Sequence, residues 1–335
     1  MIISKSPFRI SMGGGGSDLP SYYKKYGGFL IAGTIDKHIY VGANQQFYKN
    51  YSLKYSQIEI VNNKEDIKHN LIREAIKYLD IDEGIEITSL ADIPGGTGLG
   101  SSGAFLTALL NTLHNYKDKP VSKRQIAEEA CKIELEVLKE YEGKQDPYAC
   151  AFGGLKAYKF ERNGSVQVIP LANEDIIMDK LERHLILFYT GIQRKGKASD
   201  VLKEQDIKTK ANDESTISFL HEIKDIGMKS RDVLQQGDFN EFGRLLDKHW
   251  QLKKQYSNNP KDNFIDNCYQ TAIKNGALGG KIMGADSTTG FFIFYYPKLD
   301  FERFTFIKKM ENLGLQHMPF KFDTEGVVGI IEEER

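Results

Sequence analysis

The chain has 335 residues, enough for two domains with a sizeable core in each. Its formal net charge is −1, which excludes a global basic field for nucleic acid or an anionic membrane surface. Three widely spaced cysteines with no CxxC, and seven histidines with no HxH or HExxH spacing, argue against a disulfide framework or a zinc site.

Met1 to Ile10 shows no long apolar signal-peptide core. The densest apolar run, Phe291 to Tyr296, is too short to span a bilayer. A cytoplasmic, reducing setting is therefore expected, with no membrane and no nucleic-acid partner.

The first part reads as strands. Ile2 to Ser11, Phe29 to Asp36 and His38 to Phe47 are β-branched and aromatic runs, and Tyr51 to Val61 reads as a hairpin. Asp66 to Leu79 has helical spacing of Ile67, Leu71, Ile72, Ala75, Ile76 and Leu79. Ile85 to Ala91 is a strand leading to Pro94-Gly-Gly-Thr-Gly-Leu-Gly-Ser-Ser-Gly103, and an apolar helix follows to about His114. Ser122 with Gln125 forms a capping-box pattern for a helix that runs through Val137 and ends at Gly143. A domain boundary is expected around 173–179, giving units 1–180 and 181–335.

The second part is helix-rich. His184 to Thr190 is a strand, followed by charged amphipathic helices at 198–208, 215–235 and 239–255, the last opened by Asp238 and Glu241. Asn259-Pro260 opens a helix to 275. Gly279 to Met283, Thr289 to Tyr296 and Gly326 to Glu332 read as strands, with a helix at 300–313 closed by Gly314. The patterning leaves open whether these helices bury a homodimer face.

Three glycine-rich segments stand at strand ends: Met12 to Asp18, Pro94 to Gly103 and Gly279 to Gly290. The second opens directly onto a helix, where free backbone N–H groups and the helix dipole suit phosphate. Gly95 and Gly100 have P-loop spacing, but Ser101 stands where that motif needs lysine. Asp146, after a helix and before Pro147, reads either as a turn aspartate or as a base for a hydroxyl. Glu134 reads as an ordinary helix glutamate on residue type alone. Arg194, Lys195 and Lys197 form a solvated loop or a clamp for a phosphate on the acceptor, with Lys144 and Lys281 behind them. Tyr22, Tyr23 and Tyr26 suit packing better than a sugar face.

The ordered set PFRISMGGGGSD (7–18), PGGTGLGSSGAF (94–105), GKQDPYACAFGG (143–154) and KIMGADSTTGFF (281–292) resembles the GHMP small-molecule kinases over nearly the whole chain. The resemblance implies an α+β fold. Its N-terminal α/β domain would bind ATP and carry a left-handed βαβ crossover, and its C-terminal domain would be ferredoxin-like, with the active site between them. It implies ATP and Mg²⁺ as cofactors. Gly95, Gly96, Thr97, Gly98, Leu99, Gly100, Ser101, Ser102 and Gly103 would wrap the ATP phosphates, and Ser101, Ser102 and Glu134 would hold the metal. Asp146 would be the base with Arg9 beside it. Gly14, Gly15, Ser17, Asp18 and Gly284 would contact the acceptor.

With GKQD and YTGIQR, the N-terminal run is similar to the branch that phosphorylates the anomeric hydroxyl of a heptose 7-phosphate on the way to GDP-heptose. The partner expected is thus a small sugar phosphate. A fucose- or galactose-type kinase, or a non-catalytic sugar- and ATP-binding regulator, is the alternative. The family's third motif usually reads Gly-Ala-Gly-Gly-Gly-Gly, whereas here Asp286 adds a negative charge.

Overall fold

The structure is a computed structural model that describes every residue except 83, 195, 197, 257–262, 286 and 332–335. The chain opens with β1 (Ile2–Gly13), α1 (Pro20–Tyr26) and β2 (Gly28–Gln45). Two expected strands are thus one: β2 continues through Asp36 and Lys37, with Ile35 bridged to Phe322. The hairpin β3 (Tyr51–Lys54) and β4 (Ile58–Val61) follows, then α2 (Asn70–Tyr78) and β5 (Ile85–Ala91). β3 and β5 pair in parallel, so β4 and α2 make a crossover between them. β5 leads into the glycine loop and α3 (Ser101–Tyr116).

Next comes α4 (Lys123–Lys132), where the Ser122 hydroxyl accepts from the Gln125 N–H as its pattern predicts. The helix does not run evenly to Gly143. Residues Ile133–Val137 form a π turn that carries Glu134. Such bulges are frequent at functional sites because they re-aim one side chain.

The sequence reading missed α5 (Gln145–Phe152), β6 (Leu155–Phe160), β7 (Val166–Pro170) and α6 (Glu174–His184). Where a domain boundary was expected there is a helix, with Ile177, Met178 and Leu181 buried. Its apolar face is only three residues wide and its flanks are charged, which disguised it.

The second half contains β8 (Leu185–Tyr189), α7 (Ala198–Lys210), α8 (Glu214–Gln236), α9 (Phe239–Tyr256) and α10 (Asn263–Lys274). The expected start of α10 at Asn259-Pro260 lies outside the described residues. β9 (Gly279–Ile282), β10 (Phe291–Tyr295), α11 (Asp300–Glu311), β11 (Gln316–Met318) and β12 (Val328–Ile331) complete the fold.

The first sheet has the order β12-β1-β2-β5-β3-β4, with β6 and β7 branching from β2. The second has the order β11-β8-β10-β9 and is antiparallel throughout. Numbered within the sheet, that is 4-1-3-2 with a β-α-β-β-α-β succession, the ferredoxin-like arrangement. Alternation along its strands gives each face a separate job. Leu185, Leu187, Ile293 and Tyr295 join the core of the first sheet. Ile186, Phe188, Phe292 and Phe294 pack with Trp250, Tyr269 and Phe306 in a second core. β12 does not stay with its neighbours in sequence; it pairs with β1. Among the described residues no helix is long and apolar enough to cross a membrane.

Candidate active site

A cavity of about 680 Å³ gathers residues from all three glycine segments. That is the size of an ordinary small-ligand site.

One end is built around Arg9. The register of β1 against β2 slips between Pro7 and Arg9, a bulge of the kind that re-aims a strand side chain. The guanidinium then donates to both carboxylate oxygens of Asp146, at 2.7 and 2.9 Å, and to the Gly98 carbonyl at 2.6 Å. Its own backbone N–H donates to the Leu99 carbonyl at 2.9 Å. Burial opposes the Arg9 charge, but the attraction and hydrogen bonds of Asp146 outweigh it and raise its pKa. A bidentate charge-assisted pair of this type fixes both orientation and position. Asp146 lies in the first turn of α5, where the helix N-terminus favours a negative charge.

Asp18 secures that turn. Its carboxylate accepts from the Gln145 N–H and the Gly16 N–H, each at 2.9 Å. Gly143 packs so tightly on it that a Cβ there would lie 1.8 Å from Asp18 Oδ2. Burial, opposed by those hydrogen bonds, raises the Asp18 pKa.

The glycine loop supplies the other end. Gly96, Gly98 and Gly100 all have positive φ, and Gly100 immediately precedes α3. Ser102 donates to Glu134 at 2.7 Å. Burial pushes the Glu134 carboxyl up to about 7, although the Ser102 hydrogen bond favours its anion. A hydroxyl and a buried carboxylate are hard oxygen donors, so this pair fits a Mg²⁺ ion. Ser101 also lines the cavity, but Ser102 is the hydroxyl bonded to Glu134.

The loop leans on the third motif. A Cβ on Gly98 would lie 2.5 Å from the Met283 carbonyl oxygen, and one on Gly284 would lie 2.7 Å from Gly98 Cα. Gly98→Ala is therefore expected to lose roughly 1–3 kcal/mol of stability from backbone strain. It should also raise the KM for ATP, as checked by thermal melting and ATP titration.

The sequence candidates divide. Arg9, Gly15, Asp18, Gly96, Gly98, Gly100, Ser101, Ser102, Gly103, Glu134, Asp146, Arg194 and Gly284 line the cavity. Gly95, Thr97, Leu99, Gly14 and Ser17 stand behind its wall. Leu99 is core, and Thr97 donates to the Pro94 carbonyl. Ser17 donates to the Gly14 and Phe29 carbonyls and accepts from the Phe29 N–H, so its hydroxyl ties the chain together. Gly14 is required by packing: a Cβ there would lie 2.2 Å from the Phe29 oxygen, and Gly227 of α8 presses from the other side.

Arg194 is tied to the glycine loop, its N–H donating to the Gly96 carbonyl at 3.2 Å. Lys195, Lys197 and Asp286 lie outside the described residues. Lys144 turns away, donating to the Gly164 carbonyl at 2.5 Å beneath the Tyr23 ring. Tyr22 bonds His221 of α8 at 2.6 Å and packs against Tyr26, as expected of packing residues.

Sequence reasoning missed Glu142, Gln145, His249 and Lys253, which also line the cavity. Burial and the neighbouring Glu134 and Asp146 push the Glu142 carboxyl well above its usual range. Gln145 lies within the GKQD motif but was given no role there, and no motif marks the other three, which the approach of α9 and the 138–144 segment brings in.

Residues 70–154 match the family described as GHMP kinases N terminal domain. That segment carries the glycine loop, Glu134 and Asp146, so the chain contains a GHMP kinase N-terminal domain, and its fold matches that of solved GHMP-type kinases. It stands among sugar kinases. It is 29% identical to a D-glycero-alpha-D-manno-heptose 7-phosphate kinase of Campylobacter jejuni, over 97% of this chain and 98% of that protein. An L-fucokinase/L-fucose-1-P guanylyltransferase of Bacteroides fragilis is 26% identical over 85% of this chain and 33% of that longer protein. The crystal structure of a D-glycero-D-manno-heptose 1-phosphate kinase from Bacteriodes thetaiotaomicron superposes with a TM-score of 0.80 at 25% identity, covering 100% of both chains.

Proposed function

We propose that the protein transfers the γ-phosphoryl group of ATP to the anomeric (C1) hydroxyl of D-glycero-D-manno-heptose 7-phosphate. The product is the 1,7-bisphosphate, a step toward GDP-heptose for surface polysaccharide made in the cytoplasm. The observation that carries this reading is the Arg9–Asp146 pair, its guanidinium buried, sharing one cavity with the glycine loop and the Ser102–Glu134 pair. The name of the Campylobacter jejuni relative supports this acceptor, and that of the superposing heptose 1-phosphate kinase supports a heptose phosphate more broadly.

Phosphoryl transfer passes through a loose transition state, so the protein's work is positioning and charge stabilisation. In this reading the 1–180 unit holds ATP and the acceptor lies between it and the 181–335 unit. Backbone N–H groups from Gly98 to Gly103 take the phosphate charge at the start of α3. Ser102 and Glu134 would hold Mg²⁺, which when bound neutralises charge on the phosphate oxygens. Arg194, anchored to Gly96, supplies a further cation at the loop. Arg9 locks the Asp146 carboxylate toward the acceptor. The anomeric hydroxyl is more acidic than an ordinary alcohol, so a carboxylate held in this way suffices to orient it and accept its proton.

The test is a sugar panel at equal ATP, with the phosphorylation position read by phosphorus NMR. Heptose 7-phosphate should give a new anomeric phosphate signal and stoichiometric ADP. Preferred turnover of fucose or galactose would replace the acceptor assignment, and absence of ADP with every sugar would favour a binding regulator.

A further inference from the structure

The catalytic pair leaves part of the cavity wall without a role. His249 and Lys253 lie one turn apart on α9, and Lys281 lies on β9, against which α9 packs. All three line the same cavity as Asp146. Lys281 is only 4% exposed and His249 only 5%. His249 Nδ1 is buried with no hydrogen-bond partner. Lys253 donates to the Gly284 carbonyl at 2.7 Å and the Ile282 carbonyl at 3.5 Å, which holds its ammonium at the end of β9. The Arg9 charge is matched by Asp146, but no carboxylate among the described residues pairs with Lys281.

A buried ammonium beside two other cations is unfavourable unless an anion joins it. Burial first, then the charges of Lys253 and Arg9, hold Lys281 well below the usual lysine range. Burial and the charges of Lys281 and Lys253 do the same to His249. Lys281 and His249, buried on two packed elements with no carboxylate among their charged neighbours, suit a phosphate monoester, with the Lys253 ammonium held beside them.

We propose that Lys281, Lys253 and His249 seat the phosphate group already present on the acceptor sugar, so that they select phosphorylated over plain sugars. This rests on the kinase reading above. The same chemistry would suit a phosphate of ATP. The acceptor is favoured because the glycine loop, the start of α3 and Arg194 already provide for the nucleotide. The cluster instead belongs to α9 and β9, in the other unit. It replaces the loop at 194–197 as the acceptor-phosphate site.

Lys281→Met tests this, because it keeps the side-chain length and removes the buried charge. The variant should fold with an unchanged or higher Tm. Its kcat/KM for heptose 7-phosphate should fall about 10²-fold, the scale of a charge-assisted contact. Its kcat/KM for the unphosphorylated heptose and its KM for ATP should stay within about twofold of wild type. His249→Asn should show the same selectivity with a smaller loss. An equal fall for both sugars, or a rise in the KM for ATP, would overturn the assignment.

If the wild-type enzyme turns over no heptose 7-phosphate, it is the acceptor reading that fails. The cluster is then judged by calorimetry of inorganic phosphate with the Mg·ADP-loaded protein. Binding that disappears in Lys281→Met supports the seat, and absence of binding to wild type removes it.

Discussion

Asp146→Asn is expected to fold as the wild type does and to lose at least about 10²-fold in kcat, the usual scale of a general-base contribution. The substitution keeps shape and volume, and the amide oxygen still accepts one hydrogen bond from Arg9. It removes the negative charge and with it any capacity to take the hydroxyl proton. It also leaves the Arg9 guanidinium, which now makes two bonds to Asp146 at 2.7 and 2.9 Å, without its counter-charge in a buried setting. Part of the loss would therefore come from Arg9 shifting toward the phosphates. Steady-state turnover beside a circular-dichroism melt separates the two causes. Near-wild-type turnover would remove Asp146 as the base.

Glu134→Gln is expected to raise the Mg²⁺ concentration needed for half-maximal activity by at least about tenfold, since outer-shell and ligand changes at metal sites cost 10–100-fold. It should also change the pH dependence of stability in the metal-free protein. The Glu134 carboxyl is raised from 4.5 to about 7 by burial, with Ser102 opposing and Asp146 and Glu140 adding to the rise. A folded-state pKa above the unfolded value means that the folded chain holds the proton longer. Its stabilising contribution is complete below about pH 4.5 and is lost as pH rises through about 7. At roughly 1.4 kcal/mol per unit, the loss is on the order of 3 kcal/mol. Glu142, also raised by burial, acts in the same direction. Melting curves from pH 5 to 8 without Mg²⁺ should fall less steeply for Glu134→Gln than for wild type. Added Mg²⁺ should flatten the wild-type curve alone. Parallel curves for the two proteins would dissociate Glu134 from the metal.

Much of this enzyme was visible before folding. The glycine loop was legible because glycine and helix-cap chemistry are local: Gly100 adopts φ +79 and α3 begins at the next residue. The caps at Ser122 and Asp238 were legible for the same reason. Other elements escaped. α5 is eight residues long, contains Pro147 and is almost wholly buried, so it has no amphipathic stripe to detect. The π turn at Glu134 has no composition signal, yet it decides where that carboxylate points.

The first glycine run shows the division best. From sequence, Gly14 and Gly15 looked alike as sugar contacts. In the fold Gly14 is demanded by the Phe29 backbone and Gly227, while Gly15 and Gly16 face the cavity. The sequence by itself determined the kinase class, the glycine loop before α3 and Asp146 as a candidate, because these rest on short-range backbone chemistry and motif order. The resemblance set Arg9 near Asp146 and the two serines near Glu134, but only the tertiary structure decided that the Arg9 grip is bidentate, that Ser102 rather than Ser101 meets Glu134 and that Lys281 converges with His249. Each of those pairings joins residues far apart in the chain, and their distances are set by sheet register and helix packing, which no local pattern encodes.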